Sequence, residues 1–224
     1  MSRSRPLERG SGKPLLAIEH LEDHVSRWLW AEYKHASMLA GERLVFTNGR
    51  CFCRRLNRLA KCYEESIVEL AGKLYTSPSK VIVLDPLAPE TLKPEEARQA
   101  DVIVVGGILG DHPPRGRTRR LLTSRMRGAL ARNIGEGQFS IDGAVYVALR
   151  VLEGARVRDI EVVRGLSVRA EAAGLEFEVE LPYAYPVENG RPVVAPELPE
   201  LIARGLAYEE YKLAAEDESD EECG

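Results

Sequence analysis

Nowhere in the 224 residues is there an apolar run approaching the roughly 18 that a membrane-spanning helix needs. Behind Met1–Pro6 there is no apolar stretch of the kind a secretory signal carries, so the expected location is the cytoplasm, with no membrane partner. Cysteine is scarce. Three of the four, Cys51, Cys53 and Cys62, lie close together but lack the paired C-x-x-C spacing of a zinc site, and no histidine stands near to complete one. No metal is expected, and these thiols are expected to be reduced, on or beside a helix. Aromatic residues make up only 6% of the chain, which leaves little for a base-stacking platform. No internal repeat is visible. The glycine-rich segments fit neither the dinucleotide fingerprint nor a P-loop.

What is present is the composition of an ordinary globular chain, 44% hydrophobic and 29% charged, long enough for one sizeable domain. The charge is uneven. Residues 209–224 hold eight acids against one lysine, a local −7 within a total of −4, so the preceding residues carry +3. This reads as a flexible leader over 1–13, a domain over 14–208 and an acidic, disordered tail over 209–224. A second reading of the tail is that it repels or mimics nucleic acid.

Val81–Pro86 and Asp101–Gly107 are continuous apolar runs that read as strands buried on both faces. Leu15–Leu21, Arg43–Thr47 and Ala129–Ile134 are further strands. Helices are expected over Val25–Leu39, Arg50–Leu74, Lys93–Ala100, Ile141–Leu152 and 198–206, with Ser140 capping the fourth. Strands alternating with helices imply an α/β fold with a mostly parallel, wound sheet. From about 156 to 208 the pattern becomes β-rich, with strands at Ile160–Val163 and Leu175–Leu181 and a proline-rich stretch over 183–199. It reads as an extension of the same domain.

Ligands of open parallel sheets bind where loops leave the carboxyl ends of strands. Three such loops stand out: Leu84-Asp85-Pro86, Gly106 to Arg117, and Asn133 to Ser140. Gly106, Gly107 and Gly110 permit close backbone approach. Asp111 and His112 follow them, and two prolines then stiffen the exit. Seven arginines occupy 115–132, the densest positive stretch of the chain. It is read either as a solvated face or as a surface that meets RNA phosphate or an acidic protein.

The run Gly106-Gly-Ile-Leu-Gly-Asp-His-Pro-Pro-Arg115, with Arg117-Thr118, resembles the signature of a branch of the SPOUT, or trefoil-knot, methyltransferases. That branch contains archaeal proteins described as RNA methyltransferases and a fungal enzyme that methylates an arginine of a ribosomal protein. Ile18–Glu22 with Trp28, Glu32 and Tyr33 resembles its opening, and Leu84-Asp85-Pro86 its middle strand end. Arg132, Gly135, Gln138, Asp142 and Ala144 fit its third loop. The resemblance spans roughly 15–205. It implies a C-terminal trefoil knot, which general rules of chain topology would not suggest. It also implies S-adenosyl-L-methionine as cofactor, held by Leu84, Asp85, Gly106, Gly107, Gly110, Ile134, Gly135, Gln138 and Ser140, with Phe139 against the adenine.

An arginine substrate needs carboxylates to hold its guanidinium and help remove a proton. Candidates are Asp111, Glu19, Glu22 and Asp23, with His112 as a proton relay. An RNA substrate would instead use Arg115 or Arg117 to hold phosphate. The modest positive balance and few aromatics favour an arginine of a ribosomal protein over rRNA or tRNA. A third reading is a ribosome-associated binding module without turnover. The oligomeric state is open between monomer and homodimer.

Overall fold

A computed structural model describes residues 14–110, 113–172 and 175–203. The expected leader and tail lie outside the described residues, as do Asp111 and His112. A six-stranded, all-parallel sheet runs through the centre. Its strands are β1 (Leu15–His20), β2 (Leu44–Thr47), β3 (Lys61–Cys62), β4 (Val81–Leu84), β5 (Val102–Gly107) and β6 (Leu130–Arg132), in the order β3-β2-β1-β5-β4-β6.

Side chains alternate across a strand, and the apolar runs therefore feed two separate cores. Leu16, Ile18, Ile82, Leu84, Ile103 and Val105 face one side, where helices α1 (Arg27–Ala40), α3 (Pro94–Gln99) and α4 (Ile141–Glu153) cover them. Ala17, Val81, Val83, Val102 and Val104 face the other, packed by Ile67, Leu70, Leu122 and Met126. Ser26 and Ser140 cap α1 and α4 through their side chains, and Gly154 ends α4 in the left-handed conformation. No helix among the described residues is long and apolar enough to cross a membrane.

The segment Arg50–Leu74 is not the helix its composition suggested. It holds only a 3-10 turn, the short helix α2 (Cys53–Leu56), β3 and a second 3-10 turn at Ile67–Glu69. The reversal has local causes: Asn57 accepts a hydrogen bond from the Cys62 amide, and Ser66 with Glu69 forms a capping box that starts the next turn. Pairing of β3 with β2 brings Cys62 back to Cys53, whose Cα lies 5.3 Å away, and the two form a disulfide. The expectation of reduced thiols is thereby corrected at these two positions, and it fails at Cys51 too, which is disulfide-bonded.

The C-terminal strands are longer than expected. β7 (Val162–Ala172) and β8 (Leu175–Glu188) pair antiparallel, and β9 (Arg191–Pro192) adds a third strand. Half of the proline-rich stretch is thus strand. Pro182 is tolerated because the ladder slips between Arg164 and Leu166, opposite it, at Gly165 with φ +76°. A last helix, α5 (Leu198–Ala203), packs Leu198 and Ile202 with Val168, Leu181 and Tyr185 of the hairpin.

Candidate active site

The carboxyl ends of the neighbouring strands β5, β4 and β6 open into one cavity of about 450 Å³, within the range of roughly 300–1,000 Å³ usual for small-molecule sites. Of the residues expected from sequence, Leu84, Asp85, Gly106, Ile134, Gly135, Gln138, Phe139, Ser140, Arg115 and Arg117 all line it. Three loops far apart in the chain, reaching from Leu84 to Ser140, are brought together here. Most of the lining is apolar or glycine, and the polar contribution comes from a few side chains such as Thr118, Gln138 and Ser140.

Hydrogen bonds tie these loops to each other. Asp85 has a fully buried carboxylate that accepts from the Leu87 amide at 2.8 Å and from Arg119, at the start of the helical turn that follows the second loop. Leu92 and Asn133 link the first and third loops by a 2.9 Å backbone bond. Glu22, just past β1, accepts from the Leu109 amide at 2.9 Å and from Arg117 at 3.2 Å, while Arg117 also donates to the Leu109 carbonyl. The glycine loop is thereby clasped at both ends. Glu22, expected as a substrate carboxylate, is engaged in this clasp.

β8 supplies a fastening that sequence reading missed. Tyr183 donates to the Gly110 carbonyl at 2.7 Å, and the Ala184 amide donates to the Gln138 carbonyl at 2.8 Å. Nothing in the local sequence marks Tyr183, because its partner lies 73 residues away. Glu32 of α1 was part of the recognised opening, but its task is visible only here. Its carboxylate accepts from the Ile141 amide at 2.8 Å and from Trp28 Nε1 at 2.8 Å, and so caps α4 where the third loop ends.

Gly107 and Gly110 do not line the cavity. A Cβ on Gly107 would stand 2.3 Å from the Tyr33 hydroxyl, so this glycine lets α1 approach the sheet. A Cβ on Gly110 would stand 2.4 Å from the Tyr183 ring and 2.6 Å from Gln138 Nε2. Both serve close packing behind the cavity wall.

Glu19 is also elsewhere. Its carboxylate is wholly buried and accepts from Thr47, Ser66 and the Ile67 amide. Burial raises its pKa above the ordinary carboxylate value, and these hydrogen bonds oppose the rise. It ties β1 to β2 and the turn at 66–69, and the structure does not bring it to the cavity. Asp111 and His112 lie outside the described residues.

His20, the residue after it, is buried with Nδ1 2.9 Å from the Tyr33 hydroxyl and no partner for Nε2. Burial, helped by the positive charge of Arg50, lowers its pKa to about 4. In the unfolded chain the value is near 6.5. The unfolded state therefore binds more protons between the two values, and stability falls as pH drops from about 6.5 towards 4. A loss of about 3 kcal/mol is expected over that window, and the His20→Phe protein should lack this component. Urea unfolding at pH 7 and pH 4.5 of both proteins checks it; equal losses would show that His20 is not the cause.

A family model described as "Protein arginine N-methyltransferase SFM1-like" matches residues 15–209. The chain is 29% identical over 207 residues to protein arginine N-methyltransferase SFM1 of Saccharomyces cerevisiae, covering 85% of this chain and 94% of that protein. The crystal structure of the yeast arginine methyltransferase SFM1 complexed with SAM superposes with a TM-score of 0.76, at 26% identity, over 87% of this chain and 92% of the other. The dual specific Trm10 of Thermococcus kodakaraensis shares the fold, with a TM-score of 0.52 at 18% identity, over 65% of this chain and 96% of the other.

Proposed function

The chain belongs to the SFM1-like protein arginine N-methyltransferase family, and from that premise we propose that it transfers a methyl group from S-adenosyl-L-methionine to an arginine side chain of a ribosomal protein. The observation that carries this reading is the single cavity made by the three strand-end loops. The trefoil threading belongs to the same reading. The residues present suit the cofactor: glycine and apolar groups form a bed for an adenosine, and Gln138 Oε1 is buried without a hydrogen-bond partner. Gln138 would hold the base, Phe139 would pack on it, and Asp85 with Leu84 would border the ribose.

When bound, S-adenosyl-L-methionine supplies a methyl group on a sulfonium that needs only a nucleophile placed in line. The chain's own task is then to prepare the guanidinium. That group is protonated with a pKa above about 12, and as a cation it is a poor nucleophile. A carboxylate must hold two of its N–H groups and help remove a proton. Asp111, next in sequence after Gly110, is the acid we assign to this, with His112 passing the proton on. Arg115 lies at the cavity wall and is exposed, where it turns acidic or phosphate groups of the target towards the site.

The test is a pair of measurements on Asp111→Asn. Transfer of label from the cofactor to ribosomes should fall about a hundredfold or more. Calorimetric cofactor affinity should stay within about threefold. An unchanged rate would remove Asp111 from the mechanism. Failure of the wild-type protein to bind the cofactor at high micromolar concentration would leave a binding module in place of an enzyme.

A further inference from the structure

The seven arginines over 115–132 divide into two groups. Arg117 pairs with Glu22, Arg119 with Asp85, and Arg132 with Glu96 and Glu90. Arg115, Arg120, Arg125 and Arg127 are exposed, and among the described residues none of their guanidinium groups makes a hydrogen bond or ion pair. We propose that Arg120, Arg125 and Arg127 form a ridge that docks the phosphate backbone of RNA and leads to Arg115 at the cavity.

Three features carry this. The segment is anchored, since Leu122 and Met126 are buried in the core beneath it, so the arginines are held outward on fixed backbone. Fold stability asks little of them: like charges repel one another, and acids are bonded to the neighbouring arginines but to none of these side chains, though Arg125 lies near enough to the buried Glu19 to favour its charged form. The exposed residues over 119–128 are Arg120, Ser124, Arg125, Arg127 and Gly128. An interface core for a protein would need apolar or aromatic anchors, and the exposed residues over 119–128 include none. Guanidinium forks and a hydroxyl are the donors that phosphate oxygens take. With no aromatic among these residues, the ridge reads backbone charge and not base identity.

The proposal stands apart from the methyl-transfer reading, because RNA binding is measured without cofactor. The probe is a fluorescein-labelled single-stranded 20-nucleotide oligouridylate, titrated at several salt concentrations by anisotropy. The wild-type protein should bind it, with affinity falling as salt rises. The triple variant Arg120→Gln, Arg125→Gln, Arg127→Gln should bind more weakly. Its slope of log affinity against log salt should shrink by about 2, since each phosphate contact on a single strand contributes roughly 0.7. Melting temperature and cofactor affinity of the variant, measured alongside, should match the wild type. The proposal is overturned if the wild-type protein does not bind the RNA at 50 mM salt, or if the variant keeps both affinity and slope. It is overturned equally if labelled polyglutamate binds the wild-type protein more tightly than the RNA does and the variant loses it, which would assign the ridge to an acidic protein.

Discussion

Replacing Gly110 by valine is expected to lower the affinity for S-adenosyl-L-methionine about thirtyfold or more while leaving the protein folded. The added Cβ has nowhere to go. It would lie 2.4 Å from the Tyr183 ring on one side and 2.6 Å from Gln138 Nε2 on the other. Tyr183 is tethered by its hydroxyl to the Gly110 carbonyl, and the Gln138 backbone is tethered to Ala184. Relief must therefore come from swinging the Gln138 side chain, which lines the cavity. Overpacking of this kind costs about 2 kcal/mol, which is roughly thirtyfold in a dissociation constant. Gly110→Ala should fall between the two. Calorimetry with the cofactor reads the effect directly, and an affinity within threefold of wild type for valine would mean that this contact does not shape the cavity.

The second large effect is on stability. Glu32→Ala should destabilise the protein by about 3 kcal/mol. Glu32 is buried and serves two donors from different parts of the chain, the Ile141 amide and the Trp28 indole. Truncation leaves the buried Ile141 amide without this acceptor, which costs about 1–3 kcal/mol, and removes the bond to the half-buried Trp28 indole. It also removes a negative charge from the N-terminus of α4, where it interacts favourably with the helix dipole. Glu32→Gln keeps the size and one acceptor and should lose about half as much. Urea midpoints at constant slope give the values. If alanine and glutamine cost the same small amount, the cap is not what holds the third loop's helix in place.

The contrast between these two residues shows what the sequence made legible. The strands β4 and β5 announce themselves because a strand buried on both faces is a nearly continuous apolar run. The cavity loops were readable because strand ends in a parallel sheet are where loops collect, and because the long glycine motif resembles a known family. Gly110 was expected to hold the cofactor, and in the structure it stands behind the cavity wall, making room for Tyr183 and Gln138. Arg50–Leu74 was misread because helix-forming composition says nothing about the disulfide and the β2 pairing that fold the segment back. Tyr183 was invisible, since a tyrosine in a β-rich stretch carries no sign of which backbone carbonyl, 73 residues away, it will meet. Glu19 and Glu22 stand three residues apart on one strand end, and only the fold sends one into the core and the other to the glycine loop.

The most direct measurement is to incubate the protein with tritium-labelled S-adenosyl-L-methionine and ribosomes from a host lacking it. The ribosomal proteins and RNA are then separated, and the labelled protein is hydrolysed to amino acids. Label should appear in one small-subunit protein and elute as methylarginine. Label confined to RNA, or absent from both fractions while cofactor binding is intact, would contradict arginine methylation of a ribosomal protein.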